Sequence, residues 1–336
     1  MQPKPGTRNP ELSALEGRLL NDFQRDFPLE PEPYARIAAG LGIPQDRLLR
    51  LLAQLQAEGR VSRVGVVFRP NSVGASTLAA MAVPEADLER VAAMVSAFPE
   101  VNHNYEREHR YNLWFVVTAP DTARLEQALA RIAERTGHRP VFLPLLAEYH
   151  IDLGFDMSGE CAVRELEDEE EEAESLESLA FLRHPSDTAL IAAIQGGFPL
   201  VRRPFADIAA RAGLAEHEVL TRLCQWLAEG VVKRVGVIVR HHELGYRANA
   251  MVVWDVPDAE ADRIGRAFAR HEFVTLCYRR PRRPPNWPYN LFCMIHGRDR
   301  GAVLRHVEAL RRQAALPGLR HEVLFSRRRF KQRGAL

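Results

Sequence analysis

Four arginines crowd into one short stretch near residue 280. CYRRPRRPPNWPYN carries Arg279, Arg280, Arg282 and Arg283 between Tyr278 and Trp287, interleaved with Pro281, Pro284, Pro285 and Pro288. Guanidinium forks match carboxylates bidentately, and flat aromatic faces suit a large conjugated ring. Proline stiffening at a loop tip lowers the entropy lost when the loop grips a ligand. The plain alternative is a solvated turn whose arginines do nothing, and the alternation with Tyr278, Trp287 and Tyr289 weighs against it. The implied ligand is a planar polyanion.

A second stretch, VNHNYEREHRYNLW from Val101, is shorter and lacks the prolines. In an extended strand alternate residues share a face, so Val101, His103, Tyr105 and Arg107 should point one way and Asn102, Asn104 and Glu106 the other. One face then offers an imidazole, a phenol and a guanidinium in a row. The matching positions around residue 276 are Val274, Leu276, Tyr278 and Arg280, with leucine where the histidine stood. A packing histidine with no chemistry is the bland reading. The asymmetry favours one acid-bearing site and one grip-only site, and an imidazole that titrates near pH 6.5 suits the former.

These two stretches match because the chain repeats itself. Phe27-Pro28-Leu29 recurs as Phe198-Pro199-Leu200, and GRVSRVGVVFR from Gly59 recurs as GVVKRVGVIVR from Gly230, both 171 residues on. VNHNYER and VTLCYRR follow 173 residues apart, and YNLWF and YNLFC 178 apart. The sequence is a tandem duplication with small insertions. In each half, apolar spacing predicts three short helices and a wing strand. In the first half Leu12, Leu15, Leu19, Leu20 and Phe23 mark one helix, a second follows Pro33, and a third runs from Pro44 to Glu58. Beyond the wing the predicted order is strand (78–83), helix (85–98), strand (101–107), strand (111–118), helix (121–135) and strand (140–151); the second copy ends in a strand around 319–326. The expected fold is α+β, each half a winged helix-turn-helix followed by a ferredoxin-like βαββαβ domain. The expected boundaries are 10–60, 61–157, a linker at 158–182, 183–231 and 232–330.

The formal charge of +1, from 45 Lys and Arg against 44 Asp and Glu, conceals an uneven distribution. GECAVRELEDEEEEAESLESLA from Gly159 sets ten carboxylates against Arg164, so this solvated tether carries −9 and leaves +10 on the remainder. No stretch has the roughly 18 uninterrupted apolar residues of a membrane helix, and the N-terminus lacks an apolar leader, so a cytoplasmic location is expected. Cys161, Cys224, Cys277 and Cys293 form no C-x-x-C pair, so neither a zinc site nor a disulfide framework is indicated.

A helix-turn-helix joined to a ferredoxin-like domain is similar to the leucine-responsive regulators, in which the helices bind DNA. Yet the third helix of the first half (Asp46, Arg47, Arg50, Glu58) is neutral, and its counterpart (Glu216, Glu218, Arg222, Glu229) carries −2. Phosphate contacts need cations there. The wing arginines Arg63, Arg69, Arg234 and Arg240 soften the argument without reversing it.

HNYEREHRYNLWF and CYRRPRRPPNWPYNLFCMIHGRD resemble the paired hairpins of the siroheme decarboxylases, and the resemblance spans both halves. It implies removal of carbon dioxide from two acetate side chains of siroheme, on rings C and D. The product would be 12,18-didecarboxysiroheme for haem d1 or alternative haem synthesis. It also implies a pseudo-dimer of the two halves around the substrate, with paralogous decarboxylase subunits as further partners and the helix-turn-helix as inherited scaffold. His103 would donate the proton, Tyr105 and Arg107 would orient the substrate, and Arg110 and Lys331 would join the arginine cluster on its carboxylates. His103 or His109 could instead bind the substrate's iron axially. The only metal expected is that iron, and no cofactor beyond it. Two further classes stay open: a DNA-binding regulator and a non-catalytic haem or siroheme carrier.

Overall fold

Ser13 opens the first helix with a reciprocal cap, its hydroxyl accepting the Glu16 N–H at 3.3 Å while the Glu16 carboxylate accepts the Ser13 N–H at 2.8 Å. The computed structural model describes residues 13–69, 71–151, 185–239 and 248–332; the acidic run, Leu12, Cys161 and Arg240 lie outside them. The first half runs α1 (Ala14–Asp22), α2 (Pro33–Leu41), α3 (Gln45–Ala57), β1 (Val61–Phe68), β2 (Ala75–Met81), α4 (Leu88–Ala97), β3 (Val101–Arg107), β4 (Leu113–Ala119), α5 (Thr122–Thr136), β5 (Val141–Pro144) and β6 (Ala147–Ile151). The second runs α6 (Pro185–Ile194), α7 (Pro204–Ala212), α8 (Glu216–Ala228), β7 (Val232–Val239), β8 (Ala248–Trp254), α9 (Ala261–Ala269), β9 (Val274–Arg279), β10 (Leu291–Gly297), α10 (Arg300–Ala314) and β11 (His321–Gln332). The predicted helix at 85–98 starts as a 3-10 turn at Glu85–Asp87. No helix among the described residues is long and apolar enough to cross a membrane.

Two units form, each containing parts of both halves: one holds the helices and wings, the other the two plaits. In the helical unit, Leu48, Leu52 and Leu55 bury one face of α3, and β1 pairs with β7. The two most alike segments of the repeat explain each other here. The Phe198 N–H donates to the Val64 carbonyl at 2.6 Å, and the Phe27 N–H to the Val235 carbonyl at 3.4 Å. Each Phe-Pro-Leu thus docks on the other half's Val-Gly-Val. A Cβ at Gly65 would stand 3.2 Å from Gly197 Cα, and one at Gly236 would overlap the Gln24 carbonyl, so the wing glycines allow this backbone approach. Asp46 at the start of α3 pairs with Arg202 at 3.1 Å, and Arg222 on α8 with Asp187 at 2.8 Å.

In the plait unit nine strands run β5-β2-β4-β3-β11-β8-β10-β9-β6. The last strand of each plait crosses to the other. β11 pairs with β8 over His321–Phe325 and then with β3 over Ser326–Gln332, while β5 pairs with β2 and β6 with β9. This exchange is why the strand expected to end near residue 326 continues to Gln332, and why the one expected over 140–151 breaks in two. Helices α4 and α5 cover one face of the first plait through Val91, Val95, Phe115 and Ile132, and α9 and α10 cover the second through Trp254, Ile264, Phe268 and Val307. By strand alternation the opposite faces carry a third cluster, in which Ala80, Trp114 and Leu143 meet Met251, Val253, Trp287, Phe292 and Leu324.

Candidate active site

On β3, alternation brings His103, Tyr105 and Arg107 to the face away from α4, while Asn104 donates to the Ala92 carbonyl of α4 at 3.0 Å. A bulge between Val101 and His103 corrects the expected row. Val101 turns into the helix-side core, and Asn102 becomes the extra residue, donating to Thr118 Oγ1 at 2.7 Å. Val274 on β9 moves to its helix-side core in the same way, with Thr275 in the bulge.

The His103 and Tyr105 rings lie nearly parallel, 6.1 Å between centroids and 10° between planes, with Tyr105 Oη 3.5 Å from His103 Nδ1. The Arg107 guanidinium sits 5.8 Å from the Tyr105 ring centre and donates to the Leu324 carbonyl at 3.2 Å and to Ser326 Oγ at 3.0 Å. Burial lowers its pKa to about 10, so it stays a cation at neutral pH. Burial also raises the Tyr105 phenol, against the pull of Arg107 and Arg329, which keeps it a proton donor. The matching row on β9 is Leu276, Tyr278 and Arg280. Arg280 lies 5.1 Å from the Tyr278 ring, donates to the Leu143 carbonyl at 2.5 Å and is likewise lowered to about 10 by burial. Nε of Arg107 and Nε of Arg280 are both buried without a hydrogen-bond acceptor.

The hairpin tips of the two halves meet around Trp287. Its ring centre is 5.6 Å from His109, 5.9 Å from Tyr111, 5.3 Å from Trp114 and 5.1 Å from Tyr289. At 1% exposure it is a core residue that joins the plaits, where the sequence suggests a face for a conjugated ring. Sequence reasoning missed Glu322. It accepts from Tyr289 Oη at 2.6 Å and lies 2.6 Å from His109 Nε2, while His109 Nδ1 accepts the Tyr111 N–H at 2.9 Å. Both His109 nitrogens are therefore engaged within the protein, Nδ1 as acceptor and Nε2 as donor to Glu322. Burial lowers the pKa of this imidazole, opposed by Glu322.

The arginine cluster does not form a single patch, because the strand pleat and the neighbouring acids divide it. Arg279 turns to the α9 side, 3.5 Å from Asp262 and 3.7 Å from Asp258. Arg282 bonds Asp255 at 3.0 Å and Asp258 at 2.5 Å, and holds the Asp258 carboxyl below its ordinary range. No spacing rule linked these acids to the hairpin. Exposed Arg283 donates to the Phe142 carbonyl at 3.0 Å. Arg110, also exposed, lies 4.9 Å from the Tyr111 ring centre and donates to Asn286 Oδ1 at 3.2 Å, tying the two hairpins together. Lys331 Nζ donates to the Ser96 and Phe98 carbonyls at 2.7 and 2.8 Å, closing the end of α4 on the helix side.

Comparisons with known proteins match both halves. The family model described as AsnC-like ligand binding domain covers residues 72–150 and 243–331. The model described as siroheme decarboxylase NirDL-like HTH domain covers 16–61 and 187–232. The siroheme decarboxylase NirDL subunit of Paracoccus pantotrophus is 44% identical over 97% of this chain and 98% of its own length. The siroheme decarboxylase NirD subunit of Pseudomonas aeruginosa, 52% identical, covers 44% of this chain with 97% of its own length. The crystal structure of a siroheme decarboxylase NirDL in co-complex with an iron-uroporphyrin III analogue superposes with a TM-score of 0.65 at 30% identity, covering 93% of this chain and 90% of that one. The chain belongs to the siroheme decarboxylase family.

Proposed function

We propose that this chain decarboxylates siroheme, removing carbon dioxide from the ring C and ring D acetates to give 12,18-didecarboxysiroheme for haem d1 or alternative haem synthesis. The observation that carries the reading is the match to a siroheme decarboxylase along nearly the whole of both chains. The row on β3 supplies the chemistry. The bond between an acetate methylene and its carboxylate breaks, carbon dioxide leaves, and the electron pair stays on the methylene carbon, spread into the macrocycle. A proton forms the new C–H bond and turns the acetate into a methyl group. The step is redox-neutral, so the reading asks for no organic cofactor, and the iron enters with the substrate.

His103 is the proton donor in this reading, and the protonated Tyr105 phenol beside it holds the substrate or the imidazole in line. Arg107 keeps a fixed positive charge 5.8 Å from the centre of the Tyr105 ring. A cation in low dielectric binds carboxylates that must not react more strongly than one in water would. In this reading Arg110 and Arg283, exposed at the hairpin tips, meet outlying carboxylates of the substrate; their exposure supports it. The helical unit is scaffold: α3 together with its C-cap Glu58 sums to zero, α8 is acidic, and Arg222 on α8 is taken by Asp187.

Anaerobically purified full chain incubated with siroheme tests this by mass spectrometry of the pigment. The expected products are lighter by one and then two carbon dioxide units. Retained pigment with no mass loss would make the protein a carrier, and absence of pigment binding together with salt-sensitive duplex binding would make it a regulator; either result overturns the reading.

A further inference from the structure

Strand exchange gives the two rows different neighbours. Because β11 of the second half reaches β3, Arg329 stands directly across from Tyr105, and Gln332 across from His103. Because β6 of the first half reaches β9, Glu148 stands directly across from Tyr278. Directly opposed residues of an antiparallel pair share a face. The two placements are structurally equivalent: each exchanged strand shifts register immediately after this residue, at Arg329/Lys331 and at Glu148/His150. The next residue packs toward the helices in both, Phe330 in the first plait's core and Tyr149 in the second's. At equivalent points beside equivalent tyrosines the molecule therefore sets opposite charges. Their electrostatic action differs accordingly, Arg329 lowering the Tyr105 pKa and Glu148 raising that of Tyr278.

We propose that Arg329, carried into the first plait by the second half's last strand, is a substrate-carboxylate contact of the His103 row, and that Glu148 bars the same polyanion from the Leu276 row. The chain thus has one productive row, assembled from both halves, and the two acetates react there in turn. This rests on the siroheme reading above and assigns its substrate to one of two otherwise similar faces. A guanidinium beside the phenol attracts a carboxylate-fringed macrocycle and offers it a forked contact. A carboxylate in the same place repels it, and repulsion at a partly desolvated position weighs as heavily as attraction.

The test is absorbance titration of siroheme into the full chain, with steady-state turnover, for wild type, R329K, R329E and E148K. Wild type should take up a single equivalent. R329E should raise the siroheme Kd and KM by roughly tenfold to a hundredfold, the loss expected for a charged hydrogen bond, with a smaller change in kcat. R329K should fall between wild type and R329E, because it keeps the charge and loses the fork, with the thermal midpoint unchanged in both. E148K should admit a second equivalent. Uptake of two equivalents by wild type, or an R329E titration that superposes on wild type with an unchanged thermal midpoint, would overturn the proposal. If wild type neither binds nor decarboxylates siroheme, the functional reading itself fails; if it does both and R329E is unaltered, only this inference falls.

Discussion

The two units treat the duplication in opposite ways. In the helical unit each half repeats the other's contact: Phe27 docks on Val235 as Phe198 docks on Val64, and a wing glycine lies beside each docking point. In the plait unit the backbone keeps the repeat, down to matching bulges at Asn102 and Thr275, while the side chains on the working face part company. Leu276 stands where the first copy has His103, and Glu148 holds beside Tyr278 the register position that Arg329 holds beside Tyr105. Symmetry persists in the wing contacts that hold the architecture together and breaks on the face proposed to hold the substrate. The halves also differ in surface charge on α3 and α8, but the wing contacts that need close backbone approach keep the repeat.

The sharpest break in the comparison is His103→Ala. It should lower siroheme turnover by roughly a hundredfold to ten-thousandfold, the usual range for a positioned acid. Pigment should still bind, and an unchanged Soret band would confirm that the imidazole does not ligate the iron. On the architectural side, Gly236→Val should cost about 2–4 kcal/mol, because its Cβ would overlap the Gln24 carbonyl and neither backbone can yield cheaply. Gly65→Ala, with 3.2 Å to Gly197, should cost about 1 kcal/mol. Differential scanning calorimetry on both variants, with Gly236→Ala as the like-for-like partner of Gly65→Ala, would show whether the closer approach at Gly236 costs more.

Glu322→Gln should cost about 1 kcal/mol by weakening the bridge from His109 to Tyr289, seen as a lowered urea midpoint. The smallest effect is a pH dependence. Burial lowers the His109 pKa in the folded protein below its ordinary 6.5. Above pH 6.5 both states are neutral there and its contribution is fully present. Below pH 6.5 the unfolded chain takes up the proton first, so stability falls with pH down through the lowered folded value. His306, also lowered by burial, adds to the same slope. Thermal midpoints between pH 7.5 and 5.5 should therefore fall less steeply in His109→Gln than in wild type.

Much of this was legible in the sequence for stated reasons. Alternation placed His103, Tyr105 and Arg107 on one face because a strand has a period of two, and it failed for Val101 because a bulge has no period. The helices of both halves could be read from their apolar spacing and from Pro33. What stayed hidden depends on long-range pairing. Asp255 and Asp258 claim Arg282 from over twenty residues away. Arg329 and Glu148 reach the site only because the last strand of each plait crosses to the other, and Glu322, on the part of β11 paired with its own β8, meets His109 of the other half; local patterns encode neither. Trp287 looked like a stacking platform because an exposed loop tip and a tip buried under another half have the same composition.

The most direct measurement is a single-turnover comparison of His103→Ala with Leu276→Ala, each incubated anaerobically with siroheme and followed by pigment mass. The account predicts that Leu276→Ala still yields the product lighter by two carbon dioxide units, while His103→Ala binds pigment and loses neither. Equal impairment of both variants, or full double decarboxylation by His103→Ala, would contradict it.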